Sequence, residues 1–171
     1  MSIVLETARL QLRPCQIEDL LLVHELWTSD RIRYFLFDNR VISLEESRSF
    51  IEDSLSNFER HGYGLWLIFA REISYLAGFA GFLPSEEAIP SLIYGIHPNL
   101  WGNGYATEAA NAVLHYVLEE LALPKVRADV DEPNISSVQV LEKLGMKRTG
   151  RAVIKGHPLL YFELYRSEDI T

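Results

Sequence analysis

The sequence predicts a mixed α/β (α+β) fold with a largely antiparallel sheet, and three observations carry that prediction. Hydrophobic periodicity switches between about two and about 3.6 residues in the order strand, two helices, three strands, helix, strand, helix, two strands. The three middle strands follow one another without a helix between them, which asks for antiparallel pairing and excludes a regular doubly wound sheet. No internal repeat, low-complexity tract or Pro/Gly/Ser linker interrupts the chain, so residues 1–171 read as one domain, with 48% hydrophobic residues to build its core.

Each element has its own signal. Arg9-Leu10-Gln11-Leu12-Arg13 alternates and stops at Pro14, a short strand. Glu18 to Trp27 reads as a helix, with Ile17, Leu20, Leu21, His24 and Trp27 near one face. Ser43-Leu44-Glu45-Glu46 has the spacing of a capping box and opens a second helix, with Ile51, Leu55 and Phe58 among its apolar positions and His61-Gly62 at its end. Leu65 to Ala70 and Tyr75 to Phe82 are apolar runs split by Arg71-Glu72-Ile73-Ser74, a hairpin. Ser91 to His97 is the third strand of this series. The central helix sets Ala106, Ala109, Ala110, Val113, Leu114, Val117 and Leu121 on one face, with Glu108, Asn111, His115 and Glu119 opposite. Pro124 marks a stop, and Val126-Arg127-Ala128-Asp129-Val130 alternates again. Asn134 or Ser136 caps a last helix that ends at Gly145. Lys147 to Ile154 and Leu159 to Tyr165 are strands around the turn Lys155-Gly156-His157-Pro158.

Composition narrows the function. A net charge of −8 argues against a nucleic-acid surface and favours cationic partners such as amines or basic peptide tails. No apolar stretch approaches the roughly 20 residues of a membrane span, and Met1 to Thr7 lacks the pattern of a secretory signal. Cys15 stands alone, so no internal disulfide forms, in keeping with a reducing cytoplasm. The five histidines, at 24, 61, 97, 115 and 157, have no metal-ligand spacing, and no metal is expected.

The run Trp101-Gly102-Asn103-Gly104-Tyr105-Ala106-Thr107-Glu108 joins a strand to the central helix. Two glycines and an alanine at a spacing of two let a ligand approach bare backbone amides, and the first amides of a helix have no internal acceptor. The helix dipole adds about half a positive charge there. Such a turn suits an anion, above all a phosphate or pyrophosphate. An isolated Gly-x-Gly equally describes a plain tight turn. A Rossmann fingerprint would need glycine where Thr107 stands, and no P-loop pattern exists.

His97 through Ala109 resembles the acyl-CoA pyrophosphate loop of GNAT N-acetyltransferases, Gln/Arg-Gly-x-Gly-x-Gly/Ala, with Trp101 in the Gln/Arg position and Gly102, Gly104 and Ala106 matching the rest. Trp followed by Gly-Tyr-Ala-Thr-Glu-Ala is similar to the RimJ/RimL-type branch, which includes N-terminal acetyltransferases of ribosomal proteins. Asn134 through Met146 resembles that branch's Asn-x-x-Ser helix ending in Lys-x-Gly-Phe, and Glu6 through Pro14 resembles its first strand. The resemblance implies a GNAT-like mixed, mostly antiparallel central sheet of six to seven strands flanked by about four helices.

It also implies an acetyl-CoA-dependent N-acetyltransferase that moves an acetyl group to a primary amine by direct attack, with acetyl-CoA as cosubstrate and no metal. By that resemblance the backbone of Gly102, Asn103, Gly104, Tyr105, Ala106 and Thr107 holds the CoA pyrophosphate, with help from the Thr107 hydroxyl. The pantetheine arm lies between splayed fourth and fifth strands and pairs with backbone near Ile96, where an amide would polarise the thioester carbonyl. Asn134 matches a pantetheine contact; as a residue it reads equally as a helix cap. The Tyr that many superfamily members use as general acid falls at Leu141. The branch's Ser falls at Ser137, the candidate general acid. The Glu that many relatives carry on the fourth strand falls at Ser91, so the base is unassigned, and Glu86, Glu87, Asp131 and Glu163 are substitutes by chain position only. Tyr63, Trp66, Tyr161 and Phe162 are candidates for an acceptor pocket, although aromatic strand residues are core by default.

The implied partners are acetyl-CoA and an amine acceptor, either a ribosomal-protein N-terminus or a small amine such as a polyamine, amino acid or aminoglycoside. No nucleic acid and no membrane is expected, and the chain would be a monomer or homodimer. Two rivals remain at this level. One is a catalytically weak acyl-CoA-binding module, motivated by the missing Glu and Tyr; the other is a nucleotide- or flavin-binding protein using the same turn.

Overall fold

A computed structural model of the chain describes residues 3–37, 40–84 and 87–167, with the side chains of 34–36 excepted. Among the described residues eight strands form one sheet: β1 (Leu5–Glu6), β2 (Leu10–Pro14), β3 (Leu65–Ala70), β4 (Gly78–Leu83), β5 (Ser91–Ile96), β6 (Lys125–Asp131), β7 (Lys147–Ile154) and β8 (His157–Tyr165). Their order is β1-β2-β3-β4-β5-β6-β8-β7. Every neighbouring pair is antiparallel except β5 and β6, which run parallel. A parallel pair needs a crossover, and the helix α4 (Tyr105–His115) supplies it. The other α-helices are α1 (Leu20–Trp27), α2 (Asp30–Leu36), α3 (Leu44–His61) and α5 (Ile135–Lys143).

The sheet separates two apolar layers, as strand alternation demands. On one face Leu12, Trp66, Ile68, Phe82, Ile96, Val126 and Phe162 pack with Val113 and Val117 of the crossover and with Leu141 of α5. On the other, Leu67 and Phe79 pack with Val23 and Trp27 of α1, Ile32 of α2 and Ile51 of α3. Local signals set the helix ends. Both halves of the Ser43/Glu46 capping box are formed, and Gly62 closes α3 in the left-handed conformation at φ +83°. Asn134 caps α5 by accepting from the Ser137 amide at 3.3 Å.

The sheet and helices exceed the expected six to seven strands and about four helices by a few short pieces. β1 is two residues long and is defined by its pairing with β2, Leu5 with Leu12 and Glu6 with Gln11. A period-two pattern cannot show in two residues. α2 is only seven residues long, too short to show a full apolar stripe in the sequence. Tyr75 to Ala77 does not join the strand, which begins at Gly78. The central helix ends at His115 and continues as a π-helical turn, Tyr116–Glu120, in which the Leu121 amide reaches back five residues to the Tyr116 carbonyl. Among the described residues no helix is long and apolar enough to cross a membrane.

Phe79 lies at the centre of the second layer, 1% exposed and edge-on to Trp27 at 5.9 Å. Its replacement in Phe79→Ala is expected to lower unfolding free energy by about 3–5 kcal/mol, read from urea denaturation. A loss below about 1 kcal/mol would mean that this layer collapses around the deleted ring.

Candidate active site

The sheet opens between β5 and β6. Only Ser91 and Arg127 are in register, and the Arg127 amide donates to the Pro90 carbonyl at 2.9 Å. Beyond that level no ladder pair joins the strands, so their backbone groups lose their usual partners. Strand parity says which groups these are. The His97 amide donates toward β4, to the Ala77 carbonyl at 2.7 Å, so positions 95, 93 and 91 face β4 as well. Tyr94 and Ile96 therefore turn their N–H and C=O groups into the opening. The Trp101 indole Nε1 takes the Ile96 carbonyl at 2.7 Å, which leaves the Ile96 N–H toward the gap. Arg31 of α2 lies over the Trp101 ring at 5.5 Å.

The 102–107 loop lies beside this opening. A 3-10 turn, Pro98–Leu100, leads into it, and Gly102 and Gly104 adopt left-handed backbone at φ +83° and +79°. Non-glycine residues resist that conformation, and a Cβ on Gly104 would also stand 3.4 Å from the Arg9 guanidinium. The Asn103 side chain braces the loop, donating to the Leu100 carbonyl at 2.9 Å. Gly104 has no side chain to cap α4, whose first internal bond runs from the Glu108 amide to the Gly104 carbonyl at 3.0 Å. The amides of Tyr105, Ala106 and Thr107 thus have no acceptor within the helix. They form a cluster of donors at its positive end.

Across the same face, Tyr94 of β5 reaches α5. Its Oη lies 2.5 Å from Ser137 Oγ. Burial pushes the Tyr94 phenol up to about 12, against a smaller downward pull from the Ser137 hydrogen bond. The phenol therefore stays protonated at neutral pH and can donate. Leu141, one turn further along α5, is 1% exposed in the core and offers no polar group. The alternation of β5 marked Tyr94 as a strand residue; nothing in the sequence showed that it would meet Ser137.

A family profile for the acetyltransferase (GNAT) domain matches residues 9–147, well over half of the chain. The chain belongs to the GNAT acetyltransferase family. It is accordingly an acyltransferase. The chain is 31% identical to the uncharacterized protein YkkB of Bacillus subtilis over 104 residues, 59% of this chain and 60% of that protein. It is 29% identical to the uncharacterized N-acetyltransferase YoaA of Bacillus subtilis over 150 residues, 86% of this chain and 84% of that protein. The fold also matches RimL, a ribosomal-protein α-N-acetyltransferase solved in complex with coenzyme A, with a TM-score of 0.82 over 95% of this chain and 98% of that one. At 17% identity that likeness is one of fold.

This GNAT chain distributes its carboxylates differently from the sequence-based candidates. Ser91 supplies none on β5. Glu87 pairs with Arg127 at 2.8 Å. Glu163 is held by Arg127 at 3.0 Å and by Lys125 at 3.4 Å; the Arg127 hydrogen bond above all keeps its pKa below the usual carboxylate range. Both are committed to ion pairs. Glu86 lies outside the described residues. Asp129, which was read only as part of an alternating strand, has its pKa raised by desolvation. The aromatic candidates also divide: Tyr63, Trp66 and Phe162 are buried in the core, and Tyr161 alone is half-exposed. Among the described residues no cluster of three or more His, Cys, Asp or Glu could hold a metal ion.

Glu108, expected on the solvent face of the helix, instead ties the loop to the amino-terminal strands. It accepts from the Thr7 hydroxyl at 2.5 Å, the Arg9 amide at 3.0 Å and Arg9 Nε at 2.7 Å. Burial pulls its pKa upward, but these hydrogen bonds outweigh burial and leave it below the usual value. A depressed carboxylate contributes stability above its unfolded pKa, and the contribution disappears as pH falls through the folded one. Glu108→Gln should therefore cost about 1–2 kcal/mol at pH 7, with the gap from the parent closing below about pH 4. Urea titrations at pH 7 and pH 3 check this; a pH-independent difference would contradict it.

Proposed function

We propose that residues 1–171 act as one acetyl-CoA-dependent N-acetyltransferase domain, cytoplasmic, that acetylates a primary amine by direct attack. The acceptor is a protein N-terminus or a small amine. The observation that carries this reading is the β5–β6 opening, flanked by the amide-lined 102–107 loop and by the Tyr94–Ser137 hydroxyl pair.

Acetyl-CoA supplies the acyl group as a thioester. Its diphosphate suits the backbone amides from Gly102 through Asn103, Gly104, Tyr105 and Ala106 to Thr107, whose donors and dipole favour a compact anion and whose left-handed turn at Gly104 a side chain would strain. The Ile96 N–H, unpaired across the opening, suits a carbonyl of the pantetheine arm or thioester. Asn134 caps α5 through its Oδ1 on the Ser137 amide, and its side-chain nitrogen suits a carbonyl of the pantetheine arm. Ser137, backed by the protonated Tyr94 phenol, gives a proton to the departing sulfur. The acidic chain, at net charge −8, suits an amine that arrives as a cation.

Gly104→Val should weaken acetyl-CoA binding at least tenfold by calorimetry while the thermal transition stays cooperative; unchanged affinity would remove the cradle from the account. Ser137→Ala and Tyr94→Phe should each lower kcat/KM by roughly a hundredfold, with the double variant little worse than either. A thiol-release assay over a panel of N-terminal peptides and small amines reads this. Tight acetyl-CoA binding without release above background for any amine would favour the binding-module rival.

A further inference from the structure

We infer that Asp129 is the group that receives the acceptor's ammonium and takes its proton. This inference rests on the transferase reading above. Four observations lead to it. Asp129 lies on β6 two residues past Arg127, which is in register with Ser91, and so at the level where β5 and β6 have already parted. Val126, Ala128 and Val130 of β6 pack into the layer of α4 and α5, so Asp129 faces the opposite side of the sheet. Ile93 and Gly95 of β5 face that side too; Ile93 packs with the α1–α3 layer, and a Cβ on Gly95 would meet Phe79 and Ile32. The Tyr94–Ser137 pair and the 102–107 loop belong to the other side. One face of the opening thus presents the phosphate loop and the proton donor, and the other presents a carboxylate.

The third observation is partnership. Glu163 and Glu87 on this side are taken up by Arg127 and Lys125. Among the described residues no cationic side chain pairs with Asp129, and its own backbone N–H is its hydrogen-bond donor. The fourth is accessibility. The side chain is exposed to solvent, yet enough protein surrounds it for desolvation to raise its pKa. A cationic ligand beside a carboxylate that is reachable yet partly desolvated would restore the lost charge balance. The ionisable groups around it are Arg127 and Asp131 along β6, Tyr161 and Glu163 on β8, and Lys147 of β7 in register with Glu163; the facing β5 positions, Ser91, Ile93 and Gly95, carry none in this range.

The chemistry balances. The ammonium gives one proton to the Asp129 carboxylate, which passes it to water. The freed nitrogen lone pair then forms the C–N bond to the thioester carbonyl carbon as the C–S bond breaks. The nitrogen's second proton leaves to solvent while the sulfur gains one from Ser137, which solvent restores. One proton is released for each amide and each thiol formed.

The test compares Asp129→Asn, Asp129→Glu and the neighbouring Asp131→Asn with the parent. It uses calorimetric affinity for acetyl-CoA and kcat/KM for a primary amine from pH 5 to 10. Asp129→Asn should keep acetyl-CoA affinity within twofold and lose at least a hundredfold in kcat/KM at pH 7. Its remaining rate should climb with pH toward the pKa of the amine, without the parent's acidic limb. Asp129→Glu should recover part of the rate and the limb, and Asp131→Asn should retain both. A threefold or smaller loss in Asp129→Asn, or a loss confined to the amine KM with the limb intact, overturns the role of Asp129 while leaving the transferase reading in place. No turnover of any amine by the parent overturns both.

Discussion

β5 and β6 keep register for one residue pair, and the site depends on that brevity. A sheet normally satisfies its backbone donors and acceptors through its neighbours. Here the Ser91–Arg127 contact is the one register pair between the two strands, and the parting beyond it leaves the Tyr94 and Ile96 amides without a ladder partner on β6. Because the strands are parallel, the chain must cross over between them, and α4 makes that crossing. The amino end of α4, with its uncapped amides, is thereby delivered beside the same opening. One topological fact places both a strand edge and a helix terminus at one spot.

The two faces of the opening differ in chemistry. Toward α4 and α5 lie backbone amides, a positive helix end and a protonated phenol hydrogen-bonded to a serine, all groups that stabilise or donate to negative charge. Toward the other face of β6 lies a carboxylate that no cationic side chain among the described residues pairs with. An anionic cofactor and a cationic acceptor would approach from opposite sides and meet in the gap. Around it, Glu108 binds the amino-terminal segment to the helix that carries the loop, and Trp101 fixes the Ile96 carbonyl. These contacts hold the loop in place without occupying it.

Much of this was legible in the residues. The Gly102-x-Gly104-x-Ala106 spacing marked the loop, the Ser43/Glu46 box and Gly62 marked the ends of α3, an apolar run gave β3 its bounds, the turn after Ile154 closed β7, and alternation gave most of β6. The pieces that escaped are those whose signal is not local. β1 exists only through its partner, and α2 is too short for a full apolar stripe. The Tyr94–Ser137 contact joins residues 43 apart in sequence, and the anchoring of Glu108 by Thr7 and Arg9 spans about 100. Alternation showed that Asp129 leaves the core face of its strand. That β5 departs at the same level is a property of two strands, and no single stretch of sequence contains it.

The central claim is that the strand opening and the start of α4 form one site for acetyl-CoA. Amide hydrogen exchange with and without that cosubstrate tests it most directly. The account predicts slowed exchange at Ile96 and at Tyr105, Ala106 and Thr107 together, with little change at β7. Unaltered exchange at these four amides under saturating acetyl-CoA, or slowing at only one of the two segments, would contradict it.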